Sequence, residues 1–332
     1  MGVIITNNRK TKYMSMRHVK FEEYLEYVKT HKIVHIEDEK IPVGKPQVIE
    51  KYQPVDFTLE TTTVWSFPDR GEWCTHRGDY RGNWAPQIPR NIILRYSKPR
   101  ELILDQMCGG GTTLVECKLL GRNAIGVDIN YDAVILTLDR LNFTYKPLDP
   151  DYVEPEIRVY HGDARNLDLI KDESIDLIVT HPPYANIVSY SKNRRVEGDL
   201  SQVYSLEEYL EGIHEVAEES FRVLKPGRFC AILIGDTRKH RHYVPLAFRV
   251  MQQFLDVGFI LKEDIIKVQW HTKTTGRKWI GLVKTAEKCW VEKTHNKRYW
   301  TDFYLIEHEH LFVFRKPNHG EDTEDYRYSM KW

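Results

Sequence analysis

Apolar and polar positions alternate along this chain in two rhythms, and the change of rhythm marks its organisation. From Glu101 onward, short apolar runs are separated by stretches of helical spacing, the pattern of repeated βα units that build a mostly parallel sheet. The runs are Leu102 to Asp105, Ala124 to Asp128, Ile157 to Tyr160, Ile175 to Thr180, Phe229 to Ile234, Phe259 to Val268 and Leu311 to Phe314. Seven such strands complete a sheet. Between the fourth and fifth, Ser205 and Glu208 form a capping box ahead of Leu206, Leu210, Ile213, Ala217 and Phe221, spaced as one face of a helix. The Pro-Gly pair of LKPGR is expected to close that helix in a turn.

The first 60 residues read differently, with mixed charge, a candidate amphipathic helix from Val19 to Thr30 and a Pro-containing stretch from Ile41 to Pro54. They are taken as an N-terminal extension (1–60), ahead of an α/β body (61–318) and a short C-terminal tail (319–332).

Composition narrows the possibilities without naming one. Apolar residues make up 41% and charged residues 29% of the 332, ordinary for a chain able to bury a substantial core. The formal net charge is zero, which excludes binding nucleic acid as a bulk polycation; any such surface must be a local patch. Cys74, Cys108, Cys117, Cys230 and Cys289 form no CxxC pair and no paired metal-ligand spacing. Reduced thiols and no metal are expected. No apolar run reaches the roughly 18 residues a membrane span needs, and MGVIITNNRKTKY lacks a signal peptide's apolar core. A cytoplasmic protein without membrane attachment follows as the expectation.

The run ELILDQMCGGGTTLVECKLLGRNAIGVDIN places a strand, Asp105, three glycines and then a helix beginning at Thr112. Glycines let the backbone approach a ligand closely. Asp128 ends the next strand, 23 residues after Asp105, where a carboxylate accepts hydrogen bonds from ribose hydroxyls. Asp163, in HGDARNL, follows the third strand. A glycine turn alone is a weak signal. Three carboxylates at successive strand ends, all at the sheet edge where α/β folds bind ligands, point to a nucleoside cofactor. A dinucleotide dehydrogenase uses the same edge, but position 114 is Leu where GxGxxG requires glycine, and Asp105 would lie beside a pyrophosphate. That charge suits a cationic sulfonium better.

Directly after the fourth strand stands Thr180-His181-Pro182-Pro183-Tyr184. Two prolines fix the backbone and remove two donors, leaving carbonyls as acceptors. Such carbonyls can hold the hydrogens of an exocyclic amino group, and Tyr184 offers a face on which an extruded base can stack. A rigid turn closing a strand would use the same residues.

Together these segments resemble the amino-methyltransferase family of DNA methyltransferases, which make N4-methylcytosine or N6-methyladenine, over about Val64 to Arg315. DQMCGGGTTL resembles the family's DPFCGSGTTL, GVDIN its ribose-binding strand end, and THPPY its Asp, Asn or Ser followed by PPY. The resemblance implies a seven-stranded Rossmann-like sheet with helices on both faces and S-adenosylmethionine as cofactor. It implies cofactor contacts from Asp105, Met107, Cys108, Gly109, Gly111, Thr112 and Thr113, ribose contact by Asp128 with Ile129, and adenine contact by Asp163 with Ala164. His181, Pro182, Pro183 and Tyr184 then face the target amino group of a base flipped from double-stranded DNA. His181 departs from the family's usual residue; a neutral imidazole can accept a hydrogen bond from the amino group or take its proton. Gln106 and Met107 depart from the usual Pro and Phe. THPPY is closer to the TSPPY of cytosine-N4 enzymes, so cytosine is favoured, with adenine N6 second. An RNA base amino-methyltransferase and a non-catalytic nucleic-acid-binding protein are the alternatives. No Pro-Cys pair occurs, which excludes ring-carbon methylation through a cysteine nucleophile.

Upstream, WSFPDRGEWCTHRGDYRGNWAPQIPRNIILRYS resembles the segment that walls the cofactor pocket, with Pro86, Ile88 and Pro89 as pocket elements. DNA contact is assigned to an insertion at 267–300, where nine Lys or Arg stand against Glu287 and Glu292 and Trp270, Trp279, Trp290 and Trp300 are interleaved. Lys192, Arg194 and Arg195, and Arg238 to His242, are candidate backbone grips. A cognate restriction endonuclease is a candidate partner.

Overall fold

The computed structural model describes residues 12–36, 39–80, 82–147, 149–184, 196–270 and 304–331. A nine-stranded sheet forms its centre. The seven strands expected from the sequence are its middle seven: β5 (Leu102–Asp105), β6 (Asn123–Asp128), β7 (Ile157–His161), β8 (Ile175–Thr180), β9 (Leu224–Gly235), β12 (Ile260–Val268) and β13 (His308–Arg315). Two edge strands are added, β1 (Arg17–Val19) antiparallel to β7 and β4 (Val64–Ser66) parallel to β12. Each edge strand has three residues and one buried position, too short to show a period of two.

The order is β1-β7-β6-β5-β8-β9-β13-β12-β4. The strands β7, β6, β5, β8 and β9 run parallel, and β13 enters antiparallel to both β9 and β12. β8 is buried at every position, as a central parallel strand covered on both faces must be. Alternation along the strands divides the core. Leu177, Val179, Leu311 and Val313 face one side with Ile88, Ile92 and Leu114, from α2 (Gln87–Tyr96) and α3 (Thr112–Leu120). Ile178, Ile232, Phe312 and Phe314 face the other, with Ile213 of α5 (Leu206–Val223) and Phe254 of α6 (Leu246–Val257).

Local chemistry sets the helix ends. Ser205 accepts the Glu208 N–H and caps α5, as the capping box requires. The helix ends at Val223, and LKPGR belongs to β9. The expected Pro-Gly turn is instead a bulge in β9, where Ile175 pairs with Leu224 and Leu177 with Phe229. Gly227 sits there at φ +76°, a conformation glycine adopts without steric cost.

The N-terminal stretch is bound to the same body. α1 (Phe21–Thr30) and the hairpin β2 (Ile33–Ile36) and β3 (Glu39–Pro42) pack on α4 (Tyr131–Leu141). The half-expected helix from Val19 thus begins at Phe21. Buried Asp139 of α4 accepts the Tyr24 hydroxyl at 2.8 Å and the Gly44 N–H at 2.6 Å. A small hairpin, β10 (Thr237–Lys239) and β11 (His242–Val244), leads from β9 into α6.

Candidate functional site

The carboxyl ends of β5, β6, β7 and β8 bring Asp105, Asp128, Asp163 and His181 to one edge of the sheet. Asp105 is 3% exposed and accepts the hydroxyls of Thr113 at 2.6 Å and Thr180 at 2.9 Å and the Met107 N–H at 3.3 Å. Burial pushes its pKa up to about 6 against these donors. The glycine loop has Gly109 at φ +51° and Gly111 at φ +78°. A Cβ on Gly111 would come within 2.9 Å of the Thr137 methyl, so α4 leaves no room for a side chain. Arg140 and Thr137 of α4 donate to the carbonyls of Gly110 and Gly109 at 3.0 and 2.8 Å. Cys108 and Thr112, also expected as cofactor contacts, are buried within this loop and its helix.

Asp128 is partly exposed, its two oxygens each accepting a backbone N–H at 2.8 Å, from Gly109 and from Asn130. Burial, helped by nearby Asp199, pushes its pKa up to about 7. Asp163 is almost enclosed, and its carboxylate is held by Arg165 through Nε at 2.9 Å and Nη2 at 2.6 Å. Gly198 crosses in front of it. A Cβ there would meet Ile129 at 3.2 Å and the Asp163 carboxylate at 3.4 Å. Sequence reading left out this segment, which narrows the slot between Ile129 and Asp163. A cavity of about 970 Å³ lies elsewhere, between α1 and β7, lined by Phe21, Val28, Leu141 and Pro155.

Beyond β8 the THPPY element enters a second cluster. His181 stacks on Trp84, with ring centroids 5.6 Å apart at 23°, and meets the Tyr184 ring edge-on at 5.6 Å. Its Nε2 is 3.2 Å from the Tyr184 hydroxyl. That hydroxyl donates to Glu309 Oε1 at 2.6 Å, and Lys267 Nζ holds Glu309 Oε2 at 2.8 Å. Because the single Tyr184 proton goes to Glu309, Nε2 of a neutral His181 is the donor and Nδ1 carries the lone pair. Nδ1 is buried, and the Gly82 backbone beside the ring works weakly to raise its pKa. Burial holds the imidazole below its usual pKa and hence neutral at pH 7. Burial works to raise Glu309, but Lys267 and then His181 outweigh it and keep its carboxyl below the usual range. The Tyr184 hydroxyl rises well above its usual value, first through burial and then through Glu309.

The expectation of two free proline carbonyls is corrected. The Pro183 carbonyl accepts the Tyr209 hydroxyl at 2.8 Å, leaving Pro182 as the unengaged proline carbonyl among the described residues. The two halves of the edge are joined by Thr180, which precedes His181 and donates to Asp105.

The upstream segment is fastened from below. Glu116 of α3, fully buried, accepts Trp73 Nε1, His76 Nε2 and Arg90 Nη1 at 2.7, 2.7 and 2.8 Å. These bonds anchor the chain on either side of Trp84, which stacks on His181 of the THPPY element. Ile88 and Pro89 are buried in α2, Ile88 in the helix-sheet core. Trp84, Glu309 and Lys267 are the site residues sequence reading missed as such; Lys267 carried a signal as the first basic residue of the presumed insertion, and Trp84 stands within the upstream segment read as a pocket wall. Residues 271–300 of that stretch, and Lys192, Arg194 and Arg195, lie outside the described residues. Arg238 donates to the Tyr304 carbonyl at 2.7 Å and lies over the Tyr243 ring. No helix among the described residues is long and apolar enough to cross a membrane.

Parts of this chain are similar in sequence to known proteins. The chain is 33% identical over 150 residues to the type II methyltransferase M.BglII of Bacillus subtilis, covering 44% of this chain and 38% of that enzyme. It is 36% identical over 106 residues to the tRNA (guanine(10)-N2)-dimethyltransferase of Methanothermobacter thermautotrophicus, covering 32% of this chain and 29% of that enzyme. The chain thus spans well under half the length of these two relatives. Among solved structures, a SAM-dependent methyltransferase from Methanosarcina mazei aligns with TM-score 0.43 at 16% identity, covering 68% of this chain and 97% of the other. The model of the N6/N4 DNA methylase family matches residues 4–138 and 175–331. With those two stretches taking in both the glycine loop and the THPPY element, the chain belongs to the N6/N4 DNA methylase family.

Proposed function

We propose that this protein transfers a methyl group from S-adenosylmethionine to the exocyclic amino group of a base flipped from double-stranded DNA, cytosine N4 before adenine N6. The observation that carries this reading is the hydrogen bond from Thr180 to Asp105, which locks the THPPY element to the cofactor edge.

The residues at that edge fit the cofactor. Each Asp128 oxygen has one backbone donor and keeps acceptor capacity for the ribose hydroxyls. Asp105, Met107, Cys108 and the Gly109 to Thr113 turn would surround the methionine portion. An adenine amino group would share the Asp163 carboxylate with Arg165, beside Ile129 and Ala164. When bound, the cofactor supplies an electrophilic methyl on sulfur, so catalysis needs positioning and no enzyme nucleophile.

The chain's own task is to present the amino nitrogen. The Pro182 carbonyl accepts one amino hydrogen, drawing the nitrogen out of conjugation with the ring. Tyr184, about a third exposed, offers its ring to the flipped base while Glu309 fixes its hydroxyl. His181 spends Nε2 on that same hydroxyl, so it positions Tyr184 and does not bind the amino group through that nitrogen.

A second reading, an RNA base amino-methyltransferase, is favoured by the similarity to the tRNA dimethyltransferase. One experiment separates them: transfer from labelled cofactor to plasmid DNA and to total RNA, with digestion to nucleosides and mass spectrometry. Label in N4-methylcytosine or N6-methyladenine that disappears in Tyr184→Ala supports the proposal. Label confined to RNA supports the second reading, and no transfer despite cofactor binding overturns both.

A further inference from the structure

Behind the catalytic cluster, on the opposite face of the same strands, lies a second group of side chains that the methyl-transfer reading does not use. Strand β13 turns Glu309 toward Tyr184, so His308 and His310 face α6 on the other side. Asp236, directly after β9, reaches into this group. One ligand atom from each of Asp236, His308 and His310 falls within 4.8 Å of the others.

His310 is the informative member. It is 4% exposed, packed edge-on by Phe248 at 4.9 Å and stacked on Phe312 at 5.4 Å. Its Nδ1 lies 3.0 and 3.3 Å from the two oxygens of Asp264. Its Nε2 is buried, makes no hydrogen bond among the described residues, and points at Asp236 Oδ2 from 3.6 Å. A buried ring nitrogen without a partner is costly unless something else fills its lone pair. Asp236 has no solvent exposure at its side chain, its Oδ1 accepts the Ala247 N–H at 2.8 Å, and its Oδ2 also accepts the Tyr243 hydroxyl.

We propose that Asp236, His308 and His310 bind a single divalent transition-metal cation, zinc by donor type, with Asp264 holding His310 in the ligating tautomer. Two imidazoles and a carboxylate are ligands of that class, and a carboxylate on the far ring nitrogen is the usual second partner of a metal-bound histidine. Ligands at about 2.0–2.2 Å in a tetrahedron are roughly 3.4 Å apart, close to the 3.6 Å separating His310 Nε2 from Asp236 Oδ2. His308 is partly exposed and closes the remaining gap by a side-chain rotation. Sequence spacing gives no hint of this site, because its ligands come from two strands some 70 residues apart. The cation would pin β9 to β13 behind Glu309 without entering methyl transfer.

The test uses tag-free full-length protein, metal analysis after purification, and titration of the chelator-stripped protein with Zn²⁺ and with Co²⁺. Expected are one equivalent of Zn²⁺, a tetrahedral Co²⁺ absorption band, and a melting temperature that falls on chelation and recovers with Zn²⁺. His308→Ala, a half-exposed position, should lose affinity at least tenfold, and Asp264→Asn about tenfold. Zn²⁺ binding that is absent, or equally tight in His308→Ala, overturns the proposal and leaves His310 as a metal-free contact between Asp236 and Asp264.

Discussion

The two halves of the candidate site bury carboxylates to a similar degree and give them opposite character. On the cofactor half, Asp105 and Asp128 are met by hydroxyls and backbone N–H groups, and burial wins: their pKa values rise to about 6 and about 7. On the substrate half, Glu309 is equally enclosed but touches the Lys267 ammonium, and its carboxyl is held low. Dipoles offset part of the desolvation of a charge, whereas a full opposite charge at 2.8 Å reverses it. The first half is therefore poised to receive a cationic ligand, and the second is already neutralised and rigid.

Removing the countercharge breaks that contrast most strongly. Lys267→Met leaves Glu309 buried and unpaired, and should cost about 3–5 kcal/mol of stability, read as a lowered denaturant midpoint. Adding Glu309→Gln to it should restore most of that loss, because the orphaned charge is gone. If the double variant is no more stable than Lys267→Met alone, the pair does not act as a unit.

Asp128→Ala tests the other half. Two charge-assisted hydrogen bonds to ribose, about 1.5 kcal/mol or more each, should vanish and raise the cofactor Kd roughly a hundredfold by calorimetry, a loss measured at a temperature where the variant is fully folded. A Kd within a few-fold of the parent would remove Asp128 from the cofactor site.

Acidity sharpens the comparison further. The folded chain retains protons on Asp105 and Asp128 that the unfolded chain releases near pH 4. Their contribution to stability is fully present below about pH 4 and is lost as pH rises through about 6 and 7. Cofactor affinity should move the other way, rising by up to about tenfold per pH unit between pH 5 and 7 as binding releases a proton. Asp128→Asn should flatten both dependences. Equal slopes in parent and variant would show that this carboxyl does not titrate there.

The smallest expected effect belongs to Tyr209→Phe. It frees the Pro183 carbonyl at a cost of about 1 kcal/mol, read as a fall in turnover of about fivefold with cofactor Kd unchanged. A matching change in cofactor Kd would mean that the halves are coupled through β8.

Much of the first half was legible in the sequence because its geometry is local. A strand, a glycine turn that admits no Cβ at Gly111 and a helix follow one another directly, and Asp105 and Asp128 end adjacent parallel strands. The middle seven strands were legible for the same reason, their apolar runs being long enough to show a rhythm. The edge strands β1 and β4 were not, since three residues carry no period.

Sequence by itself thus determined the seven central strands and their succession along the chain, the glycine turn with its carboxylates and the presence of a THPPY element after β8. Tertiary structure alone decided what that element meets. Trp84 arrives through the Glu116 network, while Glu309 and Lys267 arrive from neighbouring antiparallel strands paired in register. It also set His181 Nε2 beside the Tyr184 hydroxyl and spent the Pro183 carbonyl on Tyr209. Most of those outcomes depend on contacts between residues 26 to 125 positions apart, and no local pattern encodes which distant side chain will fill a hydrogen bond.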